Sequence, residues 1–156
     1  NKKKTFLGEE QWAWLEKALQ KPADLRLICS SPQFLVDFNG WEAWVNMPRE
    51  RERMMQLIEK TKASGVFFIS GDLHYSELGR VKRDNGYALY DLTSSGRTHG
   101  HNCDGGNINR VGQPFMEANY GFITIDWVAQ SLKLEIIDRA NVSQIVHQIP
   151  FAEIKF

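Results

Sequence analysis

Cysteine is nearly absent from this chain: Cys29 and Cys103 are the only two among 156 residues. They stand far apart in different local settings, so they form no Cys-x-x-Cys motif and specify no disulfide, which leaves the redox compartment open. Charge of one sign is missing too, since 19 Lys and Arg balance 19 Asp and Glu at a pI of about 7.1. This excludes the electrostatic footprint of a nucleic-acid binder, so nucleic acid is not expected as a main partner. No apolar run approaches the roughly 18 residues of a transmembrane segment. Repeats, low-complexity stretches and linkers are lacking. A Gly-x-Ser-x-Gly elbow, a P-loop and a Gly-x-Gly-x-x-Gly stretch are lacking as well, so serine-hydrolase, P-loop and dinucleotide-binding readings have no support.

What is present is globular. Hydrophobic residues make up 42% and aromatic residues 12%, enough for one domain or a large part of one. Trp12, Trp14, Trp41, Trp44 and Trp127 promise a substantial core. Acidic residues after Gly8 and an apolar face at helical spacing predict a helix over Glu9–Lys21, stopped by Pro22. A short strand follows at Leu25–Cys29. Pro48 then opens a second helix with Gly65 as its end signal, and Asn46 is a candidate cap. The alternating signs of Arg49–Arg53 suit a solvated helix face. Val66–Ser70 is a continuous apolar run and reads as a buried central strand. Asp84-Asn85-Gly86 marks a turn between two strands, a Gly-rich loop spans about 94–113, and the tail alternates as antiparallel sheet, with His147 as an ordinary strand residue. The fold class is therefore α/β in the first half, followed by mainly antiparallel strands.

In α/β folds functional groups gather beyond the carboxyl ends of strands, which directs attention to Ser70-Gly71-Asp72-Leu73-His74-Tyr75. Gly71 permits a sharp or left-handed turn, and Asp72 and His74, two apart in extended backbone, face one side. A carboxylate beside an imidazole suits Fe, Mn, Zn or a mixed pair with Ca or Mg. The alternative is a turn-ending Asp72 with a locally packed His74. A second cluster, His99, His101, Cys103 and Asp104, lacks paired zinc-site spacing and reads as a flexible loop. Arg97 and His99 are candidates to meet an anionic substrate, against a plain polar turn at 94–97. Trp41 and Trp44 either rim a pocket or pack in the core.

Leu7-Gly8-Glu9-Glu10-Gln11-Trp12-Ala13-Trp14-Leu15, Pro48–Arg53, Ser70–Tyr75 and Tyr90-Asp91-Leu92-Thr93-Ser94-Ser95-Gly96 occur in one order and spacing. Together they resemble the C-terminal part of the alkaline phosphatase D (PhoD-like) family of calcineurin-like metallophosphoesterases, from Leu7 to about Trp127. The resemblance implies an αββα sandwich of which residues 1–156 form a single C-terminal segment. The N-terminal half is then expected in the same precursor or as another chain. It implies hydrolysis of phosphomonoesters or phosphodiesters by a hydroxide activated on two or more metal ions, drawn from Fe, Ca, Mn, Zn or Mg. Asp72 would bind the second metal and His74 the first. The other ligands would come from the N-terminal half, whose motifs this chain lacks. Localisation stays open between exported or periplasmic, as in many relatives, and cytoplasmic. The rival reading is a non-catalytic α/β module that binds a partner through uncovered sheet faces. The weakest is a metal-binding protein built on His99, His101 and Cys103.

Overall fold

The computed structural model of the chain describes residues 5–84, 86–98 and 106–156. Gly8 enters the first helix in extended conformation, and Glu9 and Glu10 set negative charge against its unpartnered N–H groups. This helix, α1, spans Glu9–Leu19 and buries Trp12, Leu15 and Leu19 on one stripe. It stops two residues short of Lys21, because the ring of Pro22 disfavours helical geometry at the residue before it.

Strand β1 (Arg26–Cys29) lies parallel to β2 (Val66–Ser70), with helix α2 (Pro48–Thr61) in the crossover between them. Pro48 takes a first-turn position, where its missing N–H is no loss. Asn46 is not the cap. Met47 holds that place without a side-chain bond, and Asn46 Nδ2 instead donates to the Trp41 carbonyl at 2.9 Å. The left-handed residue that ends α2 is Lys62, φ 52°, ahead of the expected Gly65. Gly65 serves the entry to β2: its φ is 71°, and a Cβ there would sit 2.0 Å from the Asp24 carbonyl oxygen.

Strands β3 (Ser76–Lys82) and β4 (Ala88–Ser94) form the expected antiparallel hairpin. With β5 (Arg110–Phe115) they complete a five-stranded mixed sheet of order β1-β2-β4-β3-β5. Sequence pattern hides β5 because it contains Gly112 and Pro114, poor strand residues that an edge position tolerates. A separate three-stranded antiparallel sheet follows in the order β6 (Asn119–Asp126), β7 (Ser131–Asp138), β8 (Ser143–Pro150).

The two helices and the segment 33–39 cover one face of the first sheet, where Phe34 stacks on Phe68 with ring centroids 4.0 Å apart. The opposite face, carrying Tyr90 and Leu92, meets the second sheet. There a Cβ on Gly121 would lie 3.0 Å from the Cβ of Ser94. The His147 ring packs 5.4 Å from that of Tyr90, and burial holds its pKa below the usual histidine value, consistent with a strand residue. Of the five tryptophans only Trp12 and Trp44 enter the core; Trp14, Trp41 and Trp127 are exposed. Nor does β6 sort cleanly into two faces. It is an edge strand, and Phe122, Ile125 and, just beyond it, Trp127 all stand in the open.

The segment Arg49–Arg53 is more than a solvated face. Arg53 grips Glu9 by two hydrogen bonds of 2.6 and 2.8 Å, and Arg51 donates to the carbonyls of Phe34 and Leu35. Glu50 is buried, and its Oε2 accepts from the N–H groups of Phe6 and Leu7, the Trp12 indole and the Thr5 hydroxyl. Burial pushes this carboxyl up, and the hydrogen bonds outweigh burial, so its pKa falls below the usual value of 4.5. A depressed folded pKa contributes stability that is complete above the unfolded value and is lost as pH falls through the folded one. Glu50→Gln is therefore expected to cost about 1–2 kcal/mol in urea unfolding at pH 7. The difference from the natural chain should narrow as the pH is lowered toward about 3.

Candidate functional site

The end of β2 is held by polar groups that have no access to water. Asp91, in the middle of β4, is 2% exposed. Its Oδ2 accepts from the N–H groups of Phe34 and Leu35 at 2.7 and 3.0 Å, and its Oδ1 accepts from the Ser70 hydroxyl at 2.8 Å. Burial pushes the Asp91 carboxyl up, against the pull of these three hydrogen bonds. Ser70 also pairs with Thr93 at 2.9 Å. Gln33 Nε2 then bonds both Thr93 and the buried Glu77, at 2.8 and 2.7 Å. Glu77 further accepts from Asn107 and Arg110. One network thus ties the segment after β1 to strands β2, β3, β4 and β5 directly below the Gly71 corner.

Beyond Ser70 the chain makes a corner. Gly71 N–H donates to the Ser31 carbonyl at 3.0 Å, joining the ends of β2 and β1. The left-handed residues here are Asp72, φ 73°, and His74, φ 58°, rather than Gly71. Their relation is therefore set by two left-handed turns and not by extended backbone. Non-glycine residues in this region are held at a cost and concentrate at functional sites. The intervening Leu73 is buried, the His74 N–H donates to Ser95 Oγ at 2.9 Å, and Ser95 Oγ donates to the Tyr75 carbonyl at 3.2 Å. Asp72 and His74 are themselves exposed, so the corner presents an oxygen and a nitrogen donor side chain to solvent from a pinned backbone. As a donor set the pair suits a hard or borderline metal ion. Among the described residues no group of three His, Cys, Asp or Glu stands together.

A cavity of about 560 Å³ opens beside the corner, lined by Ser31, Gly71, Arg97, Asn119, Tyr120 and Ile123 among others. Arg97 thus lines the same space as Gly71. Gly96 fixes the approach, because a Cβ there would sit 2.4 Å from Asn119 Nδ2, and Asn119 N–H donates back to the Gly96 carbonyl at 3.1 Å. His99, with His101, Cys103 and Asp104, lies outside the described residues. The tryptophan pair divides: Trp44 is buried and donates to Ser30 Oγ at 2.9 Å, whereas Trp41 is exposed. Sequence reading missed Asn119 and Tyr120, which sit in an alternating strand and carry no motif. It quoted Asp91 without a role, since a buried aspartate in a strand announces itself only through its partners.

A mixed sheet backed by helices, a second antiparallel sheet on its other face and a donor-bearing corner at a strand end define the α/β class to which this chain belongs. The sequence profile of PhoD-like phosphatases matches residues 1–110, and the chain belongs to that family. Among solved structures it is similar to GAP50, the anchor in the inner membrane complex of Plasmodium, at a TM-score of 0.71 and 12% identity. It is also similar to PhoD, at a TM-score of 0.69 and 16% identity. The matches cover 95% of this chain in both cases, but only 43% and 33% of those two chains. No curated protein matches. No helix among the described residues is long and apolar enough to cross a membrane.

The network makes a stability prediction. Asp91→Ala leaves two backbone N–H groups and the Ser70 hydroxyl without their buried acceptor, which should cost on the order of 3 kcal/mol in denaturant unfolding. Faster amide exchange should appear at Phe34 and Leu35 and at the Gly71 corner, and unchanged exchange there would show that Asp91 does not hold it.

Proposed function

We propose that this chain carries the C-terminal share of a metal-dependent phosphate-ester hydrolase, with Asp72 and His74 as metal ligands. Family membership points to a phosphatase. The observation that carries the finer reading is the corner itself: a carboxylate and an imidazole, both on left-handed backbone, beside a cavity that an arginine also lines. The chain is short against its structural neighbours, which supports a partner in the form of an N-terminal half, in the same precursor or as another chain. That half would supply the remaining ligands to two or more ions of Fe, Ca, Mn, Zn or Mg. When bound, such ions polarise phosphoryl oxygens and lower the pKa of a coordinated water.

The residues of this chain have separable tasks in that reading. Asp72 and His74 hold metal, Asp91 and Ser70 keep the corner in place, and Arg97 faces the ester's anionic oxygens with a planar fork of donors. His99, outside the described residues, is kept with Arg97 as a proposed substrate-binding residue on sequence grounds alone. The substrate is a small phosphate monoester or diester, drawn to metal charge that the neutral composition does not count.

A second reading keeps the fold without hydrolysis: a module that docks a partner. The exposed Leu27, Phe122 and Ile125 favour it, since apolar side chains in the open on sheet faces invite association.

The test uses the protein completed by its N-terminal half. Asp72→Ala and His74→Ala should each lower metal occupancy, read by elemental analysis, and reduce phosphodiester turnover by at least ~100-fold. Normal turnover in either variant refutes the ligand assignment, and a metal-free, inert complete protein favours the docking module. Cys103→Ser should leave metal content and turnover near those of the natural protein, whereas loss of metal would return attention to the glycine-rich loop.

A further inference from the structure

A second cavity, of about 400 Å³, adjoins the first. It is lined by Arg97, Asn119, Tyr120, Asp138, Arg139 and Asn141, and it shares Arg97, Asn119 and Tyr120 with the space beside Gly71. Two guanidinium groups from distant parts of the chain therefore border one hollow. Among the described residues neither Arg97 nor Arg139 makes an ion pair, whereas Arg53, Arg80, Arg83 and Arg110 all do.

The single acid in the lining is already engaged. Asp138 Oδ1 accepts from the N–H groups of Ala140 and Val142 at 2.8 and 2.9 Å, and Oδ2 accepts from Gln144 Nε2 at 2.6 Å. The Val142 N–H leads these bonds in holding the Asp138 carboxyl below the usual carboxylate range, so this group stays ionised and spends its lone pairs inside its own turn. One positive charge is left over, and the unspent donors are those of the two arginines.

Both arginines sit on braced backbone. The β7–β8 turn that bears Arg139 is closed by bonds from Asn141 N–H to the Asp138 carbonyl and from Asp138 N–H to the Val142 carbonyl, at 3.1 and 3.0 Å. Asn141 holds left-handed φ 59° in that turn, and the Tyr120 hydroxyl donates to its Oδ1 at 3.2 Å. With Oδ1 occupied, the Asn141 amide nitrogen remains as a further donor at the cavity. Arg97 is fixed by the contact of Gly96 with Asn119 described above. Two arginines, an amide and an acid engaged within its own turn and strand line one hollow, a donor set that suits an anion with several equivalent oxygens.

We propose that this cavity is a second phosphate subsite, which takes a phosphoryl group other than the one presented at the Gly71–His74 corner. The substrate class is then an ester bearing two phosphates, laid along Arg97 from one cavity to the other. This substrate role rests on the phosphoesterase reading; the binding of phosphate does not.

The two parts are tested separately. In the protein completed by its N-terminal half, titration with inorganic phosphate followed by amide NMR should give saturable shifts at Tyr120, Arg139 and Asn141. Arg139→Gln should weaken that binding by ~10-fold or more, and Arg139→Lys, which keeps the charge and loses the fork, by less. Absence of saturable shifts at these amides, or equal affinity in Arg139→Gln, overturns the subsite. In the protein completed by its N-terminal half, propyl phosphate and propane-1,3-diol bisphosphate are compared as substrates. Arg139→Gln should raise KM for the bisphosphate ~10-fold more than for the monophosphate. An equal effect on both esters means that the cavity holds free phosphate only, and overturns the substrate role. Hydrolysis of neither ester overturns the reading of the corner, and with it the substrate role, while the titration still decides whether the cavity binds phosphate.

Discussion

The buried carboxylate of Asp91 is the contact on which the rest of the site depends. From the centre of β4 it fastens the turn at Phe34 and Leu35 with one oxygen and the last residue of β2 with the other. A charge or proton sealed at that depth is costly unless every partner is in place, so the arrangement tolerates little slack. Ser70, Thr93 and Glu77, with Gln33 from the segment after β1, extend the constraint across three strands. What emerges above this bolted floor is the corner at Asp72 and His74, where backbone strain is affordable because the floor does not move.

The same structure is generous elsewhere. Leu27 on β1 and Phe122 and Ile125 on β6 are exposed, while the cavity between these strand ends is walled by Cys29, Ile69 and Ile123. Apolar surface thus lies in the open next to a polar corner held by buried hydrogen bonds.

Much of the fold was legible because it rests on local rules. Pro48 at the start of α2, the apolar run of β2 and the Asp84-Asn85-Gly86 signal between β3 and β4 each declare an element within a few residues, and α2, β2 and the antiparallel β3–β4 pair stand. The misses share one cause, which is tertiary context. Edge position lets β5 hold Gly112 and Pro114, and a buried pocket of four donors turns Glu50 from a surface charge into an anchor. The site was legible to the same degree. Gly71-Asp72-Leu73-His74 marks itself by pattern and place, but the left-handed pair within it, the support from Asp91 and the lining of one cavity by both Arg97 and Arg139 belong to long-range packing. Total charge carries no information about local arrangement: a neutral sum is compatible with Arg97 and Arg139, neither of which makes an ion pair among the described residues, lining one cavity.

The measurement that bears most directly on the central claim is a crystal structure of the complete protein with anomalous data at the metal edge. Metal peaks about 2.0–2.6 Å from a carboxylate oxygen of Asp72 and an imidazole nitrogen of His74 are the predicted result. Metal bound elsewhere, with Asp72 and His74 directed away from it, would contradict the account.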